Sequence, residues 1–377
     1  MATVPEVVFP VFDRVPGQEH AVAFLRRAAD RPHHAYVFAG PEGGGKQIAA
    51  RAFAAALLCK QGGCGSCRDC RLALDDRHPN EVVVEPEGRD IHVDTVRAEV
   101  WHPAYRTAPE PGRKVFVIRE ADRLNPAAAD VLLKVLEEPP ADAVLLLLSA
   151  RPDELPETVV SRCHVVWFRP LSEAFVASSL SAEGARPELA ALAARLSGGN
   201  LGRARRMATD REGLAFRETA LEAIDAARRG PPGALEAADI VLGAAERYRK
   251  GLDALLAEEL SPFLDERGRP EDAYRGSIRR LEERHKRRLR RAEHDYVDRV
   301  LLGVSALLRD RVVVAVGGGP DVLMNPDLTP VPGEVPDLAG AMAAIEEARA
   351  ALAEDLNLNT RLVLEQSFLR LSDLGGD

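Results

Sequence analysis

The chain has 377 residues, 46% of them apolar, and a formal net charge of −9. That length accommodates two or three domains with sizeable cores. The acidic balance excludes a strong stand-alone nucleic-acid binder, because phosphate binding needs clustered Lys and Arg. The longest strongly apolar run, Ala143–Leu148, is too short to span a bilayer. Met1–Val8 lacks a basic start followed by an apolar core. The expectation is a cytoplasmic protein with no membrane partner.

In chain order, Tyr36–Ala39 reads as a short strand that ends at Gly40. The segment Gly40–Pro41–Glu42–Gly43–Gly44–Gly45–Lys46–Gln47 then leads into an Ala-rich helix, Lys46–Leu58. Strand, G-x-x-x-x-G-K and helix together are the pattern of a phosphate-cradling loop. Its glycines let backbone N–H groups turn inward, and Lys46 is placed to reach the β/γ-phosphates. A plain Gly-rich turn is the alternative, and the lysine and flanking elements count against it. The position after the lysine normally carries a Ser or Thr whose hydroxyl ligates Mg²⁺; here it is Gln47.

Next comes Cys59–x₄–Cys64–x₂–Cys67–x₂–Cys70, which gathers four of the five cysteines into twelve residues. Such spacing suits four thiolates around a tetrahedral Zn²⁺, leaving no open position, so the metal is structural. An iron–sulfur cluster or free thiols are the alternatives. Val82–Val84 reads as a second strand and Val93–Val100 as a helix opening near Asp94.

Lys114–Ile118 is a buried-strand pattern followed by Arg119–Glu120–Ala121–Asp122. An ATPase of this kind needs an Asp at position 119 to hold hydrated Mg²⁺. Arg119 reverses that charge and repels the ion. Glu120 stands where a water-activating base belongs, with no metal to act on. Both Gln47 and Arg119 therefore predict weak or absent ATP binding, no Mg²⁺ and poor hydrolysis.

Asn125–Glu138 reads as a helix stopped by Pro139–Pro140, Ala143–Ser149 as a strand, and Val165–Phe168 as the last strand. Ser161–Arg162–Cys163 precedes it; alone, that tripeptide is a weak signal. All-apolar strands alternating with helices predict an α/β P-loop domain with a parallel sheet covered on both faces, over 1–170. Purely helical patterning over 171–213 predicts a small helical domain, and 214–377 a second all-α domain. In the latter, Arg275–Arg291 holds nine Lys/Arg against two Glu. A thin stripe of Ile278, Leu281, His285, Leu289, Ala292 and Tyr296 runs through it at helical spacing. A solvated helix face is the favoured reading there, with contact to DNA or an acidic partner as the other. Gly317–Pro336 is Pro- and Gly-rich and reads as a long loop.

Taken together, these residues resemble the bacterial clamp-loader subunits. The loop, the Cys₄ module after its helix, Leu132–Leu133–Lys134–Val135–Leu136–Glu137–Glu138–Pro139–Pro140 and Ser161–Arg162–Cys163 occur in that family's order. Val15–Pro16–Gly17–Gln18 and His34–Ala35–Tyr36–Val37–Phe38–Ala39–Gly40 extend the resemblance to about residues 9–210. It implies an AAA+ fold with an ATPase-like domain, a lid and a helical collar that assembles a five-membered ring. Within the family, Gln47 and Arg119 set this chain apart from the motor ATPase (gamma/tau). The nucleotide-sensing Arg of the motor falls on Gly202, with Arg203 adjacent, and the polar sensor after the Ala143–Ser149 strand falls on Ala150, beside Ser149. The resemblance further implies a non-hydrolysing subunit of the DNA polymerase III holoenzyme that offers Arg162 in trans to a neighbour's ATP. Its implied partners are the motor and delta subunits, the sliding clamp and primed DNA. An active motor ATPase and a zinc-stabilised DNA-binding module are the competing functions.

Overall fold

The structure is a computed structural model that describes residues 10–86, 90–209, 214–260, 275–328, 335–354 and 358–372. The chain divides into two compact units, 1–204 and 205–377.

In the first unit a 3₁₀ turn, Pro10–Arg14, precedes α1 (Glu19–Asp30), β1 (Ala35–Ala39) and α2 (Lys46–Leu58). Then follow α3 (Arg68–Leu74) and β2 (Glu81–Val84). The segment expected as one helix from Val93 instead begins as α4 (Val93–Thr95), widens into a π-helical turn (Val96–Trp101) and ends as α5 (His102–Ala104). Pro103 has no N–H for the regular ladder, which suits the irregular ending. β3 (Lys114–Ile118), α6 (Pro126–Glu137), β4 (Ala143–Ser149), α7 (Glu157–Val160) and β5 (His164–Trp167) complete the sheet. Asn125 caps α6 by accepting from Ala128 N–H at 2.8 Å, with Pro126 at the first helical position.

All five strands are parallel, in the order β2-β3-β4-β1-β5. Successive side chains alternate between faces, and the core divides accordingly. Tyr36, Phe38, Val115, Val117, Leu146 and Leu148 pack with α1 and α2, including Phe53. Val37, Phe116, Ile118, Leu145 and Leu147 pack with α6 through Leu132 and Val135. Burial of each such side chain stabilises by about 1.5–3 kcal/mol, so the sheet is a rigid platform. Its C-terminal edge carries the Gly-rich loop, and its N-terminal edge carries the chain that leads into β5.

Three further helices, α8 (Glu173–Ala182), α9 (Pro187–Leu196) and α10 (Leu201–Thr209), follow the sheet. The second unit is helical: α11 (Ala215–Ala227), α12 (Pro231–Leu260), α13 (Arg275–Ala315), α14 (Val335–Glu354) and α15 (Thr360–Ser372). The α/β P-loop class with a helical continuation is thus the observed architecture. Along α13, Val297, Val300, Leu301, Val304 and Leu308 are buried at helical spacing. Of the thin stripe expected in its basic half, His285, Ala292 and Tyr296 are buried. The side chains of Ile278, Leu281, Arg287, Arg288, Arg290 and Arg291 lie outside the described residues. The start of the expected long loop is tied down. Buried Asp310 accepts from the N–H groups of Met324 (2.7 Å) and Asn325 (2.8 Å), and Arg217 pairs with Asp327 at 2.6 Å.

Candidate functional site

The Gly-rich loop leaves β1 in a conformation that needs glycine. Gly40, Gly43 and Gly45 have φ of 143°, 74° and 90°, a region that side chains rarely adopt. The loop is also held on several sides by protein. A Cβ on Gly40 would lie 2.1 Å from the Phe168 carbonyl, and one on Gly43 would meet the Asn200 side chain at 1.9 Å. Gln18, buried, donates to the carbonyls of Gly44 (2.9 Å) and Arg169 (2.6 Å) and accepts from Arg169 N–H (3.1 Å). Lys46 sits inside the loop, its Nζ donating to the carbonyls of Gly40 (2.5 Å) and Pro41 (2.8 Å). Burial lowers its pKa, against the opposing pull of Glu42 and Asp122.

Gln47 and Arg119, the two positions where Mg²⁺ ligands are expected, touch each other. With the amide oriented by its neighbours, the Gln47 oxygen lies 2.9–3.0 Å from all three guanidinium nitrogens of Arg119, over the face of the group. Arg119 also pairs with Asp76 at 2.5 Å and with Glu85. Asp76 in turn takes a forked contact from Arg51, at 2.5–3.0 Å. Burial opposes ionisation of Asp76, but Arg51 and Arg119 outweigh it and hold its pKa below the ordinary value. The space between the loop and the end of β3 is therefore taken by the Arg119 guanidinium with its own counter-ions. Asp76 and Glu120 are the non-glycine residues with positive φ among the described residues (57° and 49°). Both belong to this site, where backbone strain is often stored. Glu120 faces Arg123 at 2.9 Å. Ser149, fully buried, donates to Asp122 at 2.8 Å, and Ala150 N–H donates to the same oxygen at 3.2 Å. Arg203 stands in the first turn of α10, its N–H held by Asn200 Oδ1 at 2.9 Å.

Beside this cluster, both carboxylate oxygens of Glu81 are buried without a hydrogen-bond partner. Burial, reinforced by nearby Asp76, pushes its pKa up to about 8. The unfolded chain ionises near 4.5, so the native state holds this proton more tightly. Its stabilising effect is complete below pH 4.5 and is lost as pH rises to about 8. Glu81→Gln is expected to flatten that slope, read as urea midpoints at pH 5 and pH 8. An unchanged slope would remove Glu81 as its cause.

The four cysteines converge. Their Sγ atoms lie within 4.8 Å of one another, with Cys59–Cys64, Cys59–Cys67 and Cys64–Cys70 separations of 3.8, 3.6 and 3.9 Å. A tetrahedron with metal–sulfur bonds of about 2.3 Å has sulfur–sulfur edges of about 3.8 Å. Backbone N–H groups of Gln61, Gly65, Cys67 and Cys70 point at the sulfurs from 3.3–3.4 Å, the surroundings that stabilise ligating thiolates. This donor set fits a structural, fully protein-ligated ion. A second group, Asp69, His78 and Glu110, is explained without one. Arg68 grips Glu110 through both terminal nitrogens at 3.1–3.2 Å. Nδ1 of His78 accepts from Asn80 N–H at 3.1 Å, which leaves the ring proton on the nitrogen facing Asp69.

Arg162 lies elsewhere. The β1–β5 register pairs Tyr36 with His164 and Ala39 with Trp167. The Gly-rich loop follows the far end of that ladder, while Arg162 precedes its near end; four paired residues span roughly 13 Å. Arg162 is therefore on the edge opposite its own loop. Its guanidinium donates to the Thr158 carbonyl and to Glu137, each at 2.9 Å.

The first unit is thus an α/β P-loop fold in which Gln47 touches Arg119, itself held by Asp76 and Glu85. Residues 17–172 match the family described as "DNA polymerase III, delta subunit". In that region the chain resembles the DNA polymerase III delta-prime subunit. It is 34% identical over 171 residues to that subunit of Bacillus subtilis (45% of this chain, 52% of the relative). With that of Escherichia coli it is 38% identical over 183 residues (47% and 54%). The gamma/tau subunit of Mycobacterium tuberculosis is 36% identical over 168 residues (42% and 29%). The chain spans about half the length of the delta-prime relatives it matches. Among solved structures, a DNA polymerase III gamma subunit-related protein of Thermotoga maritima superposes with a TM-score of 0.44 at 15% identity, covering 94% of this chain and 99% of that one. No helix among the described residues is long and apolar enough to cross a membrane.

Sequence reasoning singled out Gln47 and Arg119 separately and missed Asp76, Glu85, Gln18 and Asn200. Gln18 ends the Val15–Pro16–Gly17–Gln18 segment, and nothing local signals that its amide ties the loop to the exit of β5.

Proposed function

We propose that this chain is a non-hydrolysing, delta-prime-like subunit of a bacterial sliding-clamp loader, acting beside a motor ATPase whose nucleotide it contacts with Arg162. The observation that carries this reading is the Gln47–Arg119 contact, which puts a guanidinium where catalysis needs Mg²⁺. Such a site has no means of holding the ion that neutralises the β- and γ-phosphates. The edge position of Arg162 supports the second half of the proposal. A guanidinium offered in trans stabilises charge that develops on the transferring phosphoryl group, and it makes hydrolysis depend on correct assembly. The proposed partners are the gamma/tau motor and delta subunits, with the sliding clamp and primed DNA engaged by the assembled complex. The proposed ion at Cys59, Cys64, Cys67 and Cys70 is Zn²⁺, bracing the segment that follows α2.

Purification of the tagged chain from its native cell tests the assignment. Co-recovery of motor and delta subunits is expected, and their absence would refute it. A second expectation concerns the loop itself. Any nucleotide affinity retained by Lys46 and the glycines should be the same with Mg²⁺ or with chelator, measured by calorimetry. A rise of tenfold or more on adding Mg²⁺ would show that the metal position is open.

A further inference from the structure

We propose that Glu137 is a positioning residue for Arg162, holding its guanidinium ready for the neighbour's nucleotide; this rests on the trans-arginine role above. An unrestrained Arg carries about 2 kcal/mol of rotamer entropy, so an arginine that acts across an interface gains from being held beforehand. Here the hold is visible. Nη1 donates to the Thr158 carbonyl at 2.9 Å and lies 3.5 Å from Ser161 Oγ, while Nη2 donates to Glu137 Oε1 at 2.9 Å. These contacts leave Nε–H and one Nη2–H for an incoming phosphate.

The two anchors are themselves fixed. Thr158 lies in α7, whose last turn continues directly into Arg162 through the Arg162 N–H to Val159 carbonyl bond at 3.2 Å. Glu137 is the last residue of α6. The end of that helix is capped by Tyr105, whose hydroxyl lies 3.3 Å from the Lys134 carbonyl and 2.9 Å from the Glu138 carbonyl. Glu138 N–H also closes on the Lys134 carbonyl at 3.2 Å, and Pro139–Pro140 follow. The carboxylate that meets Arg162 is therefore mounted on a capped helix end, whose inner face packs in the sheet core through Val135 and Leu136. Arg162 and Glu137 are both partly exposed, 37% and 52% by side chain. As a source of stability such a pair is worth little, so its geometric consequence is what matters.

Glu137 acts through Arg162, and its effects vanish without it. The test is ATP turnover of a loader reconstituted with its motor subunits, clamp and primed DNA, comparing Glu137→Ala, Glu137→Gln, Arg162→Ala and the double Glu137→Ala/Arg162→Ala. Glu137→Ala is expected to slow the single-turnover burst at the site Arg162 serves about tenfold, with the affinity for ATP unchanged. Glu137→Gln, which keeps the accepting oxygen, should restore most of it, and the double variant should match Arg162→Ala alone. Normal turnover by Glu137→Ala while Arg162→Ala is impaired overturns the positioning role only, as does a further loss in the double variant. Normal turnover by Arg162→Ala removes the trans-arginine role, and the positioning role with it. Circular dichroism of each variant separates these outcomes from misfolding.

Discussion

If Arg162 acts in trans as proposed, replacing it with Ala is expected to slow ATP hydrolysis at the neighbouring site by on the order of 10³-fold, with no change in the fold of this chain. The size follows from what the guanidinium supplies. Charge building on the equatorial phosphoryl oxygens is stabilised by a fixed cation at no reorganisation cost during reaction. The insensitivity of the fold follows from position: the Arg162 guanidinium is partly exposed and is held at the surface by Thr158, Ser161 and Glu137. Other sites in a ring continue to turn over, so a single-turnover assay with clamp and primed DNA is the suitable measurement. Loss of the slow site's burst with an unchanged melting temperature is the predicted result. An unchanged burst would show that Arg162 contacts no neighbour's nucleotide.

Cys70→Ser is expected to have the largest effect on the chain itself, about 3–5 kcal/mol of lost stability together with loss of the zinc proposed there. Cys70 is fully buried, and Cys59 nearly so; both sit in the same core cluster as Val11, Phe12 and Phe53. The segment that holds the ligands runs through Gly62, Gly63 and Gly65, all at positive φ, and carries little apolar surface of its own. The proposed zinc at the four thiolates would supply its order. The segment in turn receives the Pro10–Arg14 turn, through the Val11 N–H to Gly63 carbonyl bond at 3.2 Å. Removing one thiolate should loosen that segment and the turn together. Metal analysis of the purified protein should give one zinc per chain, and chelator should lower its melting temperature. A melting temperature indifferent to chelator and to Cys70→Ser would mean that the cluster holds no structural ion.

The α/β part was legible in the sequence because its signals are local. Val115–Ile118 and Ala143–Leu148 are uninterrupted apolar runs that lie in fully buried central strands. The phosphate-loop pattern and the cysteine spacing are equally local, and both appear as compact structures. What local pattern could not carry was the partnership between distant residues. Asp76 is 43 positions from Arg119 and 25 from Arg51, and nothing in its own neighbourhood marks it as the hub of an ion cluster. The sequence shows Arg119 only as a charge reversal; its contacts with Gln47, Asp76 and Glu85 come from the fold. Glu137 is a similar case: its motif suggested a family, but only the fold brings it to Arg162. The π-helical turn at Val96–Trp101 was invisible because the apolar spacing of Val93, Val96 and Val100 also suits a regular helix.

The internal cation also has a cost that can be read directly. Arg119→Ala would leave Asp76 and Glu85 facing each other with one counter-charge fewer, and an expected loss of about 2 kcal/mol in denaturant unfolding after allowance for partial exposure. No gain in hydrolysis is expected, because Gln47 still lacks the hydroxyl that binds metal.

The most direct measurement is ATP hydrolysis by the isolated chain in saturating Mg²⁺, with and without primed DNA. The Gln47–Arg119 contact predicts no turnover above background under either condition. Turnover at a rate typical of a motor ATPase, abolished by Lys46→Ala, would contradict it and make this chain a motor in its own right.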